Sequence, residues 1–120
     1  MSAATESITP APELTAKVFR AFGDPTRLGI LQALHGGELS VGELVERLAI
    51  AQPQVSNHLA CLRWCGLVSS RREHRRVFYS VPDERVAAAI ALVEQLGADN
   101  AQHVDACERI DGRASFKGGR

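Results

Sequence analysis

The chain has 120 residues, of which 45% are hydrophobic and only 5% aromatic, and its 14 basic and 14 acidic residues give a formal net charge of zero. This length fits one domain with one sizeable core, and a core built from Leu, Val, Ile and Ala favours a helical fold. Zero net charge excludes a chain that is basic throughout, but it leaves room for a local basic surface.

No segment is typical of export or membrane insertion. Residues 1–12 lack the basic and apolar regions of a signal peptide, and no apolar run approaches the roughly 20 residues that span a bilayer. Three cysteines, an odd number, argue against a disulfide framework. We therefore expect a cytoplasmic protein with no membrane contact and with reduced thiols.

The N-terminal part predicts two helices after a small, polar segment at residues 1–11, which we expect to be disordered. The first helix ends at Gly23, and its apolar side chains recur at a helical period: Leu14, Val18, Phe19 and Phe22. Asp24 as N-cap and Pro25 as first helical residue begin the second helix. Its buried face contains Leu28, Ile30, Leu31 and Leu34.

Residues 40–66 predict a helix-turn-helix. Ser40 and Glu43 have the spacing of a capping box, which opens a short helix over residues 41–48. A three-residue connection leads into a second helix at 52–66 that begins with Pro53 in its first turn and ends at Gly66. Two short helices joined in this way are the helix-turn-helix pattern, although helical bundles contain similar hairpins.

The second of these helices carries both a core stripe and polar side chains. Val55, Leu59 and Leu62 recur at i, i+4 and i+7 and predict its buried face. Candidate readers of DNA base edges occupy its N-terminal half: Gln54, Ser56, Asn57 and His58. Two alternatives stay open, namely that Ser56 is a cap or a solvated residue and that His58 faces the core.

A β-hairpin is predicted directly after this helix. Residues 67–72 and 75–80 contain the β-forming side chains of two strands, and Glu73 and His74 are placed at the turn. Residues 63–76 hold five arginines against one glutamate, a net charge of +4. Candidate phosphate contacts are Arg71, Arg72, Arg75 and Arg76. The alternative is a solvated, charged hairpin without a ligand.

A last helix is predicted to begin at Pro82 and Asp83. Its apolar face contains Val86, Ile90, Val93 and Leu96. We expect this face and the first helix to form a homodimer interface, the alternative being that the helix packs only on its own domain. The predicted fold is mainly α with a small β-hairpin: a winged helix-turn-helix of about five helices and a two-stranded wing. It spans residues 12–97, and a C-terminal tail follows at 98–120.

The three thiols predict a metal site. Cys61 and Cys65 lie one helical turn apart, at a spacing that puts Cβ atoms roughly 5–6 Å from each other, and they flank the core stripe. One ion can therefore bridge both sulfurs. The alternative is that the pair are small buried hydrophobes and that Cys107, in the polar tail, is an incidental surface thiol.

With these elements placed, the chain resembles the ArsR/SmtB family of repressors from about residue 16 to residue 91. The resemblance depends on three short motifs: Phe-Gly-Asp-Pro-Thr-Arg-Leu at 22–28, Val-Ser-Asn-His-Leu at 55–59 and Gly-Leu-Val at 66–68. It implies a dimeric winged-helix protein that binds operator DNA without metal and releases the DNA when metal binds.

Family members place metals at different sites, and the motifs here favour one of them. Residues 38–44 lack the two cysteines of one known site, and Arg85 stands where another site has histidine. Cys61, Cys65 and Cys107 match the CmtR-like cadmium and lead sensors. Thiolates prefer soft ions, so the expected effector is Cd(II) or Pb(II). Zn(II) stays possible if a fourth ligand completes its shell: His103, Asp105 or Glu108.

Two rival functions stay open, and one class is excluded. The same fold could respond to oxidation of Cys61 and Cys65, or the last helix could bind another protein. An enzyme is not predicted, because the sequence has no glycine-rich phosphate loop and no recognisable pair of catalytic carboxylates. Its cysteines are also spaced Cys-x-x-x-Cys and not Cys-x-x-Cys as in redox enzymes.

Overall fold

The computed structural model describes residues 11–107 and Ile110. Within this part the chain forms six helices and one three-stranded antiparallel sheet, so the predicted mainly helical, winged helix-turn-helix fold is confirmed. The elements in order are α1 (Pro12–Phe22), α2 (Pro25–Leu34), β1 (Leu39–Ser40), α3 (Val41–Leu48), α4 (Gln52–Trp64), β2 (Ser69–Glu73), β3 (Arg76–Ser80), α5 (Glu84–Asp99) and α6 (Ala101–Ala106).

The chain divides into two compact units, one ending at Val86 and the other beginning at Ala87. The predicted disorder of residues 1–11 lies outside the described residues except for Ala11, which is the N-cap of α1. None of the described helices is long and apolar enough to cross a membrane.

Helices α2 and α3 begin at the predicted caps. The side chain of Asp24 accepts a hydrogen bond from the Arg27 N–H at 3.0 Å, and Pro25 occupies the first turn of α2. Ser40 Oγ accepts from the Glu43 N–H at 3.2 Å, while Glu43 Oε1 accepts from the Ser40 N–H at 2.8 Å. Both halves of the capping box are therefore present, and they satisfy N–H groups that a helix start leaves unpaired.

The C-terminal end of α4 is a Schellman motif. The Leu67 N–H donates to the Leu62 carbonyl at 2.9 Å and the Gly66 N–H donates to the Arg63 carbonyl at 3.0 Å, which is the hydrogen-bond pattern of that motif. Gly66 has φ of 77°. The helix itself ends at Trp64, two residues before the predicted end, because Gly66 already has left-handed backbone.

The core of the first unit is formed by the predicted apolar faces. Val55 and Leu62 are fully buried and Leu59 is 1% exposed, so the predicted stripe of α4 is confirmed. This stripe shares the core with side chains of α2, α3 and the segment before β2: Ile30, Leu31, Leu34, Leu44 and Val68. Leu28, which was expected in this core, is only half-buried.

The sheet has the strand order β1-β3-β2. The predicted turn was wrong by one residue: Glu73 pairs with Arg76, and the turn consists of His74 and Arg75, with φ of 58° at His74. Strand β2 begins at Ser69 and not at 67, because the N–H of Leu67 closes helix α4. The two-residue strand β1 was not predicted, since it is too short to show alternation.

The second unit contains most of helix α5 and all of helix α6. Helix α5 passes through Gly97, where the predicted domain ends, and continues to Asp99. Asn100 interrupts the helix, its side-chain N–H donating to the Leu96 carbonyl at 2.9 Å. Helix α6 then occupies the first part of the predicted C-terminal tail.

The conformation of Gly66 makes a stability prediction. We expect Gly66→Ala to lower the free energy of unfolding by roughly 1–2 kcal/mol, the cost of left-handed backbone for an L-residue. Gly42→Ala is the matched control: Gly42 lies in helix α3 with nothing closer to an added Cβ than Ser40 Oγ at 3.9 Å, so we expect up to about 1 kcal/mol of stabilisation. Urea unfolding measures both, and a change of the same sign in the two variants would contradict this account.

Candidate DNA-binding surface and thiol pair

Three of the predicted base-reading residues lie on the outer face of helix α4. Gln54, Ser56 and Asn57 are exposed, because the buried stripe faces the other way. Their amide and hydroxyl groups are donors and acceptors of the kind that reads base edges in a major groove. This face is therefore chemically suited to base recognition.

His58 differs from these three residues, because its ring is turned towards the connection between α1 and α2. Its Nδ1 atom lies 3.3 Å from Arg27 Nη1, and its Nε2 atom lies 3.7 Å from Asp24 Oδ2. The hydrogen bond from the Arg27 N–H is the main cause that lowers the pKa of Asp24, and His58 adds to it. The sequence marked Asp24 as a helix cap but gave no signal for its contact with residue 58.

Arg71, in the middle of the wing, is engaged by carboxylates. Its Nε atom donates to both carboxylate oxygens of Glu38 at 3.0 Å, and its Nη1 atom donates to Glu73 at 2.8 Å. These partners raise the pKa of Arg71, and Arg71 in turn lowers the pKa of Glu38. The guanidinium also lies 4.9 Å from the centre of the Phe78 ring, so its charge is already balanced within the protein.

Arg76, on strand β3, contacts a hydroxyl and an aromatic ring. Its Nη2 atom donates to Ser40 Oγ at 3.1 Å, and its guanidinium lies 5.0 Å from the centre of the same Phe78 ring. Arg76 therefore links the wing to the N-cap of helix α3. Together, Arg71 and Arg76 fasten the hairpin to the corner formed by β1 and α3.

Arg72 and Arg75 are exposed, and neither forms an ion pair with any carboxylate in the described part of the chain. Arg72 is on strand β2, and Arg75 is in the turn. The four arginines predicted to contact phosphate thus separate into Arg71 and Arg76, which contact Phe78 and other side chains of the protein, and the exposed Arg72 and Arg75. Arg72 and Arg75 are the better candidates for contact with a phosphate backbone.

The structure brings Cys61 and Cys65 together at the end of α4. Cys61 is half-buried and Cys65 is exposed, and the Cys61 side chain, one helical turn away, acts on the Cys65 thiol. Burial raises the pKa of the Cys65 thiol and the neighbouring Cys61 raises it further, whereas Lys17 and Arg27 act in the opposite direction. These effects favour the protonated thiol of Cys65, so a metal ion that binds this residue displaces a proton.

Cys107, the third predicted ligand, is the C-cap of helix α6 and belongs to the second unit. Its neighbours His103 and Asp105 are exposed on α6, whereas Glu108 lies outside the described residues. No three His, Cys, Asp or Glu side chains of residues 11–107 are grouped so that they could hold one ion. Two of the three predicted ligands are thus adjacent within the described chain.

Comparison with known proteins identifies the family. The family described as "Bacterial regulatory protein, arsR family" matches residues 24–70. The probable mercury resistance operon repressor of Streptomyces lividans is 50% identical over 101 residues, which are 84% of this chain and 81% of the relative. The chain belongs to the arsR family. The resemblance predicted from the three motifs is therefore confirmed.

Solved structures of arsR-family proteins confirm the fold. HlyU from Vibrio cholerae N16961 has a TM-score of 0.62 and 42% identity, covering 72% of this chain and 97% of that one. The NMR structure of the cadmium metal-sensor CMTR from Mycobacterium tuberculosis has a TM-score of 0.55 and 45% identity, covering 63% and 79%. This arsR-family chain is a DNA-binding transcriptional regulator and not an enzyme, as predicted.

The separation of the arginines predicts the salt dependence of DNA binding. We expect Arg75→Gln to weaken binding on every sequence and to reduce the slope of log affinity against log salt by about 1, because one phosphate contact is lost. Arg85→Gln is the control, since it removes the same charge from a guanidinium that is paired with Asp83 outside the wing. Fluorescence anisotropy over a salt series measures both slopes, and equal slopes would rule out a phosphate contact at Arg75.

The thiol pair predicts the pH dependence of alkylation. Cys61→Ala removes the electrostatic and hydrogen-bonding effects by which Cys61 raises the pKa of Cys65. Because the thiolate is the reactive form, we expect the pH midpoint for alkylation of Cys65 to fall. Cleavage after Arg63 places Cys61 and Cys65 on different tryptic peptides, so mass spectrometry follows each thiol separately. Cys107→Ser is introduced both into the chain that keeps Cys61 and into the Cys61→Ala variant, which removes competition from the third thiol. An unchanged midpoint would show that the two thiols are not in contact.

Proposed function

We propose that this chain is a metal-responsive transcriptional repressor, which binds operator DNA as a metal-free homodimer and releases it when a thiophilic ion binds. Cd(II) and Pb(II) are the proposed effectors, in keeping with CmtR-like sensors, and Zn(II) is possible. The observation that carries the proposal is the adjacent pair of Cys61 and Cys65, on the helix that also presents the base-reading side chains. We also propose the cytoplasmic location that the sequence predicts.

The ligand chemistry supports a soft ion. Thiolates bind soft metals in preference to Mg(II) or Ca(II), and we assign Cys107 as the third ligand, from the same subunit or from its partner. Two relatives are named for thiophilic metals, a mercury resistance operon repressor and a cadmium metal-sensor. Hg(II) is therefore included as a candidate beside the two predicted ions.

A dimer is supported by apolar side chains that the described chain leaves exposed. Between 44% and 66% of each is exposed on α1 and α5: Leu14, Val18, Phe19, Leu92, Val93 and Leu96. Exposed patches of apolar side chains are typical of interaction sites. In the proposed dimer the two α4 helices enter successive major grooves, about 34–36 Å apart, and Arg72 and Arg75 contact the backbone.

Metal binding would change DNA affinity through the position of α4. The proposed metal ligands Cys61 and Cys65 lie at the C-terminal end of α4, and the candidate base-reading residues lie at its N-terminal end. A shift of one end of the helix therefore displaces the other. A coupling of about 1–3 kcal/mol is typical of allosteric proteins and corresponds to a roughly 5–150-fold change in affinity.

A thiol-redox repressor of the same fold is the second candidate, and the spacing of Cys61 and Cys65, one helical turn apart, favours it. Oxidation by peroxide would join the two sulfurs in a disulfide, with loss of two protons and two electrons from the thiols and reduction of peroxide to water. Loss of DNA binding with peroxide, in the absence of metal and reversed by dithiothreitol, would support this candidate against the metal sensor.

The deciding experiment is an ultraviolet titration of the reduced chain with Cd(II), Pb(II), Zn(II) and Hg(II). We expect thiolate-to-metal absorption that saturates at one ion per subunit and is weakened in Cys61→Ser. Fluorescence of Trp64, the only tryptophan, follows the same titration, because this side chain is 90% exposed and precedes Cys65. Absence of such absorption for all four ions would refute the metal sensor and leave the assignment to DNA-binding regulators intact.

Release from DNA is tested on a duplex that the wild-type chain selects from a random library. We expect the metal that saturates the absorption band to lower affinity for this duplex. Cys107→Ser should bind metal more weakly and lose most of the release. Unaltered release in Cys107→Ser would remove the tail from the site and leave Cys61 and Cys65 as the responsive pair.

A further inference from the structure

Arg27 connects three parts of the first unit. Its Nε atom donates to the Ala21 carbonyl at 2.8 Å and its Nη2 atom donates to the Arg20 carbonyl at 2.8 Å, so the guanidinium satisfies carbonyls that the end of α1 leaves unpaired. The backbone N–H of Arg27 binds the side chain of Asp24. The remaining guanidinium nitrogen, Nη1, reaches His58 on α4.

The contact with Arg27 determines the state of the His58 ring. Arginine only donates hydrogen bonds, so Nδ1 of His58, 3.3 Å from Arg27 Nη1, must accept. The neutral ring then carries its proton on Nε2, the atom that lies 3.7 Å from the carboxylate of Asp24. Nδ1 is therefore engaged by Arg27, and Nε2 faces the carboxylate of Asp24 at a distance longer than a hydrogen bond.

We propose that Arg27 is a positioning residue that holds helix α4 to the α1–α2 junction through His58. Its guanidinium is hydrogen-bonded to two carbonyls at the end of α1 and to the ring of His58, so it places the N-terminal half of α4 relative to that junction. This inference rests on DNA binding by the proposed regulator and is independent of its response to metal.

The first test separates positioning from base reading with two variants of His58. Asparagine places its carbonyl near the position of Nδ1 and keeps an acceptor for Arg27, whereas glutamine places its amide near the position of Nε2. For the metal-free chain on the selected duplex we expect His58→Asn to bind like wild type and His58→Gln to bind about tenfold more weakly or worse, the size expected for loss of a hydrogen bond to a charged group. The opposite order, or equal binding by both variants, would overturn the inference.

A spectroscopic measurement tests the contact without DNA. Long-range ¹H–¹⁵N spectra of the reduced, metal-free chain should show His58 with an unprotonated Nδ1 and a protonated Nε2. Arg27→Lys should shift the Nδ1 resonance, because the hydrogen bond is lost while the positive charge is kept. An Nδ1 resonance that does not respond to Arg27→Lys would overturn the inference even if the variant is fully folded. If Arg27→Lys does not fold, the His58 variants decide the positioning role.

Discussion

The burial of Val55, Leu59 and Leu62 fixes the rotation of helix α4 about its own axis. Because these side chains are at most 1% exposed, every other residue of the helix has a defined direction. The polar N-terminal residues face outward, His58 faces the α1–α2 junction, and the thiols flank the buried stripe. A change in how this stripe packs would therefore displace the DNA-reading surface and the thiol pair together.

The wing shows how the environment separates residues of one type. Alternation along a strand puts side chains on opposite faces, so Arg71 meets Phe78 and two carboxylates while Arg72 does not. Arg76 joins the same face and binds the cap of α3. The basic segment is thus partly a structural support, and its positive field arises mainly from the arginines that lack acidic partners.

The thiol pair and the cations near it form one electrostatic unit. Cys65 holds its proton because burial and Cys61 disfavour the thiolate, while Lys17 and Arg27 favour it. Such a balance suits a site that keeps its protons until a metal ion displaces them. Arg27 belongs to this unit and also to the network of hydrogen bonds that holds α4.

The sequence alone determined the features that depend on neighbours a few residues apart. The caps at Asp24 and Ser40, the left-handed Gly66 that follows α4 and the buried stripe of α4 all follow from spacings of up to one or two helical turns, because the hydrogen bonds and contacts involved are local. The adjacency of Cys61 and Cys65 has the same origin. The turn of the wing was misplaced by one residue, since the composition around Glu73 does not fix the register.

Only the tertiary structure decided which polar residues have partners. His58 meets Arg27 across 31 positions, Arg71 meets Glu38 across 33, and Arg76 meets Ser40 across 36. No periodicity of the sequence connects such positions, because their approach results from the packing of whole helices and strands. For this reason the sequence predicted a set of base-reading and phosphate-binding candidates, while the fold separated the groups that remain available from those that hold the protein together.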